Sequence, residues 1–199
     1  LRRQRQMCIR DRASTSPYRR ALLERLRLPF SVCKPGVDEA RLPNESAEQM
    51  VCRLAQAKAA AVAREHPTAW VIGSDQCAVL GEQILGKPGT HARAVEQLEA
   101  ASGKRVTFHT GLCLMQHTSG FERVVNIPFS VHFRELSARE IEHYLQREQP
   151  YDCAGSFKSE GLGITLFHTM QGDDPSSLIG LPLIALCSML REAGLDPLT

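Results

Sequence analysis

The chain has 199 residues, 43% of them hydrophobic and 23% charged, with a formal net charge of +2. That length holds one domain, or two tightly joined lobes, with core enough to fold without staples, and the ordinary composition excludes collagen-like, coiled-coil and disordered classes. No apolar run reaches the roughly 18 residues of a membrane-spanning helix, the longest, 178–190, being broken by Gly180, Pro182 and Ser188.

Residues 1–12 come first and hold the positive balance, with Arg2, Arg3, Arg5, Arg10 and Arg12 against Asp11 alone. This leader lacks the apolar stretch of a secretory signal, an aromatic for stacking on bases and any nucleic-acid reading motif, so a cytoplasmic protein that binds neither membrane nor nucleic acid is expected. It is also too polar for the buried strand that should precede the first helix of an α/β domain. The reading is therefore of a leader not native to the domain, such as a gene-assembly error, or of a flexible native tail, ahead of a single domain over 13–199.

Ser16-Pro17 opens an amphipathic helix with Tyr18, Leu22, Leu23 and Leu26, since a proline at the first helical position gives up an N–H that would be unpaired there anyway. A short strand is predicted at Phe30–Cys33 and a loop over Lys34–Asn44. Ser46-Ala-Glu-Gln49 is a capping box for an Ala-rich helix to Glu65. Ala69–Ile72 predicts a buried strand ending at Gly73-Ser74-Asp75-Gln76, and Gly81-Glu82 marks a hairpin between 77–80 and 83–85. A third helix spans Thr90–Ala101. Two long strands, Arg105–Gln116 and Phe121–Arg134, flank the turn at 117–120. Ser137 caps a helix to Glu148, Gly163–Met170 is a strand, Gly172–Pro175 a turn, and Pro182–Glu192 the last helix. Helices alternating with strands and hairpins indicate an α/β fold with a mixed, partly antiparallel sheet.

Several groupings could carry chemistry. The seven cysteines (Cys8, Cys33, Cys52, Cys77, Cys113, Cys153, Cys187) show no C-x-x-C pair, which argues against a disulfide framework and a zinc site. The seven histidines are equally dispersed, so a His-based metal site is not expected. Gly81 to Lys87 matches a phosphate-binding P-loop until Pro88, which stands where that loop needs Ser or Thr. A P-loop is therefore rejected, although Lys87 could still meet a phosphate as a point charge. Ser14-Thr15-Ser16-Pro17-Tyr18-Arg19-Arg20 places hydroxyls and two arginines at the positive end of a helix, a ready anion site. Asp75 is placed at the end of an apolar strand, where α/β folds carry reactive groups. Asp38 and Glu39 offer the oxygen ligands that hard divalent cations take.

Taken in order, Ser14–Arg20, Val37–Glu39, Ala55–Ala59, Gly73–Gln76, Gly86–Pro88, Gly155–Gly163 and Ile179–Pro182 resemble the Maf family of nucleoside triphosphate pyrophosphatases over about residues 13–195. The resemblance implies a mixed α/β sheet flanked by helices, with two lobes around a central cleft, a homodimer, and metal-dependent cleavage of a nucleoside triphosphate to the monophosphate and pyrophosphate. It implies Asp75 as the proton acceptor and Ser14, Arg19, Lys58 and Lys87 as phosphate-binding groups. Glu39, with Asp75, would bind magnesium or manganese. Asp75 cannot be both a free base and a tight metal ligand, and both roles stay open.

Tyr18, Gln76 and Glu160 stand where Maf branches differ by base, and they resemble the branch acting on 7-methyl-GTP. The dTTP/UTP branch would carry Arg, Thr and Gln. Guanine offers two neighbouring donors that one carboxylate can accept, and methylation at N7 makes the base cationic, which suits an aromatic face and a nearby negative charge. The alternative readings are a dTTP/UTP pyrophosphatase of the same family, or a non-catalytic protein that binds nucleotide or a partner and restrains septation.

Overall fold

One long strand organises the sheet. The computed structural model describes residues 9–11 and 16–199. Among the described residues, β1 (Ile9–Asp11), β2 (Phe30–Val32), β3 (Trp70–Leu80), β4 (Gln83–Leu85), β5 (Arg105–Gln116), β6 (Phe121–Phe133) and β7 (Phe167–Gln171) form one seven-stranded sheet. Its order is β2-β1-β3-β5-β6-β7, with β4 also on β3. β1 runs parallel to β2 and β3, and every other pair is antiparallel. The helices are α1 (Pro17–Glu24), α2 (Ala47–Glu65), α3 (His91–Ala101), α4 (Ala138–Glu148), α5 (Pro175–Ile179) and α6 (Leu183–Glu192). The mixed, partly antiparallel α/β architecture is as expected.

Side chains alternate across β3 and β5, and the alternation divides the core. Val71, Cys77, Cys113 and Met115 pack with Val51, Leu54, Ala55, Ala59 and Val62 of α2 on one face. Gly73 shares that face, and a Cβ there would stand 2.1 Å from the Ala55 carbonyl oxygen. The helix can therefore rest its backbone against the sheet. On the opposite face, Ile72, Leu112 and Leu114 pack with α1 and α6. Further along, Ala78, Val106 and Phe108 pack with α3 and α4. Between these two cores lie polar residues, Ser74, Gln76 and Thr110. Thr110 donates to the Ser177 carbonyl of α5 at 2.9 Å, and Ser74 to the Gly180 carbonyl at 3.1 Å. The sheet thus carries two lobes with a polar seam between them.

Three expectations change. Ile9–Asp11 forms a strand inside the segment read as too polar for one, because pairing uses main-chain groups that Arg and Asp carry as well as Val does. Leu162–Leu166 winds as a 3-10 turn and the strand begins only at Phe167, because Glu148 accepts from the Leu162 N–H at 2.8 Å and turns the chain inward. A short helix, α5, follows Gly172-Asp-Asp-Pro175, with Asp174 as its cap. The same buried carboxylate accepts from the Ile184 N–H at 2.7 Å, so one side chain serves the starts of α5 and α6. Ser14 and the rest of the leader lie outside the described residues.

Candidate active site

β1 covers β3 at Trp70–Ile72, and β4 covers the same edge at Ala78–Leu80. On that edge, among the described residues, no strand pairs with the stretch between them, Gly73–Cys77, whose other edge is paired with β5. Asp75 and Gln76 occupy that opening, in the interior of β3 and not at its end as expected, because β5 pairs with β3 continuously from Val71 to Leu80. Being consecutive, they point to opposite faces. Asp75 meets α2, and Gln76 meets the polar seam.

Lys58 lies on the buried face of α2, one turn beyond Leu54 and beside Ala55 and Ala59. Its ammonium stands 2.7 Å from Asp75 Oδ1 and 2.8 Å from Glu39 Oε1. A buried ammonium is costly unless paired, and here two carboxylates pair with it. One positive charge between two negative ones leaves the cluster with an excess negative charge. Glu39 comes from the irregular loop between β2 and α2 and is largely exposed.

A cleft of about 620 Å³ opens over this cluster and is bordered by Tyr18, Arg19, Glu39, Lys58, Asp75, Gln76, Lys87 and Glu160. Tyr18, Arg19, Glu39, Lys58, Asp75, Gln76, Lys87 and Glu160 are therefore in one cavity; Arg20, which pairs with Glu24, and Asp38, which accepts from the Ala40 N–H, do not border it, and Ser14 lies outside the described residues. Arg19 is anchored: its Nε donates to the Gly180 carbonyl at 2.8 Å and Nη1 to the Ser74 carbonyl at 3.2 Å. It thereby joins α1, β3 and the turn after α5. Lys87 follows β4 in a loop held by Gln97, which donates to the Gly86 carbonyl at 3.1 Å, and by the Gly89 N–H, which donates to the Tyr151 carbonyl at 3.0 Å.

Gln76 is fixed in one orientation. Its Nε2 donates to the Ser177 carbonyl at 2.7 Å, the Leu178 carbonyl at 3.2 Å and Thr110 Oγ1 at 3.0 Å. Main-chain carbonyls accept only, so the amide cannot be flipped, and Oε1 is the atom left to accept from a ligand. Glu160 stands on the turn before the 3-10 segment. α4 steadies that turn, with Tyr144 Oη accepting from the Lys158 N–H at 3.0 Å.

Sequence reasoning missed Lys34, Asp152 and Lys158, which also border the cleft. Lys34 and Asp152 are isolated charges in irregular loops and carry no pattern. Lys158 stands two residues before Glu160 in the Gly155–Gly163 segment, a signal that could have found it. Its ammonium lies 5.7 Å from the Tyr18 ring centroid, a cation–π contact. Burial, ahead of the opposing hydrogen bond from Lys158, raises the Tyr18 phenol above its ordinary range and keeps it neutral. Burial also pushes the Cys77 and Cys153 thiols up to about 12, so neither cysteine in the cleft is a thiolate nucleophile near neutral pH.

A family model described as Maf-like protein matches residues 13–193. The 7-methyl-GTP pyrophosphatase of Nitrosococcus oceani is 59% identical over 182 residues, covering 92% of each chain. The proteins of the same name from Pseudomonas syringae pv. syringae and Pseudomonas aeruginosa are 57% and 54% identical, each over 92% of this chain and 96% of theirs.

Proposed function

The chain belongs to the Maf family, and we propose that it hydrolyses 7-methyl-GTP, or a related modified nucleotide, to the nucleoside monophosphate and pyrophosphate. The observation that carries this reading is the convergence of Asp75, Lys58 and Glu39 at the floor of the cleft. With Oδ1 held by Lys58, Asp75 is oriented and keeps Oδ2 to accept a proton from water. The water oxygen forms a bond to the α-phosphorus, the bond from that phosphorus to the α–β bridging oxygen breaks, and pyrophosphate departs with the electron pair. Lys58, Lys87 and Arg19 border the region that the triphosphate would fill, where their charges offset what builds on its oxygens.

Glu39 suits magnesium or manganese, since such ions use one or two protein carboxylates and take the remaining ligands from water and phosphates; Asp75 would join it as a second ligand only in place of the base role, not together with it. Among the described residues no group of three or more His, Cys, Asp and Glu could hold a metal by itself. A bound divalent ion would supply neutralisation of phosphate charge and polarisation of the α-phosphorus.

For the base, Tyr18 brings an aromatic ring to the border of the cleft, a surface that suits a cationic purine. Gln76 Oε1 and the Glu160 carboxylate are acceptors suited to guanine donors. A homodimer, a cytoplasmic setting and action on free nucleotides in place of nucleic acid belong to the same proposal. Among the described residues no helix is long and apolar enough to cross a membrane.

Asp75→Asn tests the chemistry. The amide keeps the shape but cannot take the proton, so turnover should fall by about 10²–10⁴-fold while nucleotide binding, read by calorimetry, changes little. Turnover at the unsubstituted rate would remove Asp75 from the mechanism.

A further inference from the structure

The loop that carries Glu39 is irregular from residue 33 to residue 46, yet the Glu39 carboxylate lies within a hydrogen bond of a buried lysine. What fastens the loop lies six positions further on. Glu45 is only 7% exposed, and both its carboxylate oxygens accept from the Arg53 guanidinium, Oε2 at 2.8 Å from Nη2. Oε2 also accepts from the Leu42 N–H at 3.1 Å, and the Glu45 carbonyl accepts from Nε and Nη2 of Arg41. Arg53 Nη2 donates in addition to the carbonyl of Ala40, the residue next to Glu39, at 3.0 Å. The Ala40 N–H donates to Asp38 Oδ1 at 2.9 Å, which fixes the other side of Glu39.

Both grips on Glu39 therefore come from one helix. Arg53 holds the main chain beside it and Lys58 holds its carboxylate, five positions apart on α2, or about 7.5 Å along the axis. We propose that the Glu45–Arg53 pair is a positioning device for the reaction, fastening the β2–α2 loop to α2 so that Glu39 is held against Lys58 and Asp75. The inference rests on the hydrolase reading above. Neither residue touches the cleft floor, so the pair acts through Glu39. The Arg53 fork holds Glu45 and the Ala40 carbonyl together, a geometry that a lysine point charge cannot reproduce.

The test compares Arg53→Lys and Arg53→Met, each alone and combined with Glu39→Gln, by steady-state pyrophosphate release, thermal unfolding and amide hydrogen exchange over residues 37–45. Arg53→Lys is expected to lower kcat/KM by about 10–100-fold, the usual scale for groups that orient a ligating side chain. Its Tm should stay close to that of the unsubstituted protein, and exchange in 37–45 should quicken. With Gln at position 39, the same Arg53 substitution should change kcat/KM by less than about twofold, because no carboxylate remains to be positioned. Equal losses in both backgrounds, or unchanged exchange in 37–45, would overturn the proposal. If Arg53→Met does not fold, the lysine variant decides alone. Absence of pyrophosphate release from the unsubstituted protein would remove the hydrolase reading, and this inference with it.

Discussion

The Asp75 carboxylate is gripped at one oxygen by a buried ammonium, and its neighbour Gln76 is gripped at its nitrogen by two carbonyls and a hydroxyl. Consecutive residues of one strand thus present a carboxylate to one face, the proton acceptor of the proposed reaction, and an amide oxygen to the other. Glu160, the second acceptor proposed for the base, is exposed, and its Oε2 accepts from the adjacent Ser159 hydroxyl at 3.3 Å. Glu160→Gln replaces half of a carboxylate's accepting capacity with a donor and removes a charge. Preference for 7-methyl-GTP over a pyrimidine triphosphate should fall by about 1–3 kcal/mol, the scale of a hydrogen bond to a charged group, read from the ratio of kcat/KM values. An unchanged ratio would take Glu160 out of base recognition. At this scale a surrounding motif singled out Asp75, Lys87 and Glu160 in the sequence, and all three border the cleft. The sequence was silent for Glu45, whose partners Arg53 and Leu42 become neighbours only when the loop folds onto α2.

At the level of elements, the spacing between α2 and the sheet sets the Lys58–Asp75 pair. Gly73 faces the helix, and an added Cβ would meet the Ala55 carbonyl oxygen at 2.1 Å and the Ala59 Cβ at 2.9 Å. These two alanines flank Lys58. Gly73→Ala should push α2 outward and cost about 1–3 kcal/mol, as overpacking usually does. It should also lower turnover at temperatures where the variant remains folded, since the helix would carry Lys58 away from Asp75. A variant with unchanged Tm and turnover would show that the close approach is not required. Helix starts were legible because caps are local: the boxes at Ser46–Gln49 and Ser137–Glu140 both form as read. The 3-10 turn at Leu162–Leu166 and helix α5 were not, because each is set by a carboxylate distant in sequence or by a few residues too short to show a period. The interior placement of Asp75 was missed for a related reason. Gly-Ser-Asp reads as a turn locally, while pairing with β5 extends the strand through it.

At the scale of the whole molecule, two lobes share one sheet and leave a polar seam and an open edge between them, and the cleft follows from that arrangement. Its stability has a predictable acid limb. Hydrogen bonds from Arg53 first hold the Glu45 carboxyl at about 2, and capping bonds from Ser137 ahead of Arg134 hold that of Glu140 at about 2, against an ordinary 4.5. Both groups are depressed in the fold, so their contribution is complete above the ordinary value and is lost as pH falls from about 4.5 toward 2. Tm should decline across that window, and Glu140→Gln should flatten the decline; a Tm independent of pH there would contradict the assignment. The central claim is met most directly by pyrophosphate release from 7-methyl-GTP, GTP, dTTP, UTP and CTP, with magnesium or manganese and with chelator. Metal-dependent release that is fastest with 7-methyl-GTP is the predicted result. Preference for dTTP or UTP would contradict the roles of Tyr18, Gln76 and Glu160, and no release from folded protein would contradict the hydrolase itself.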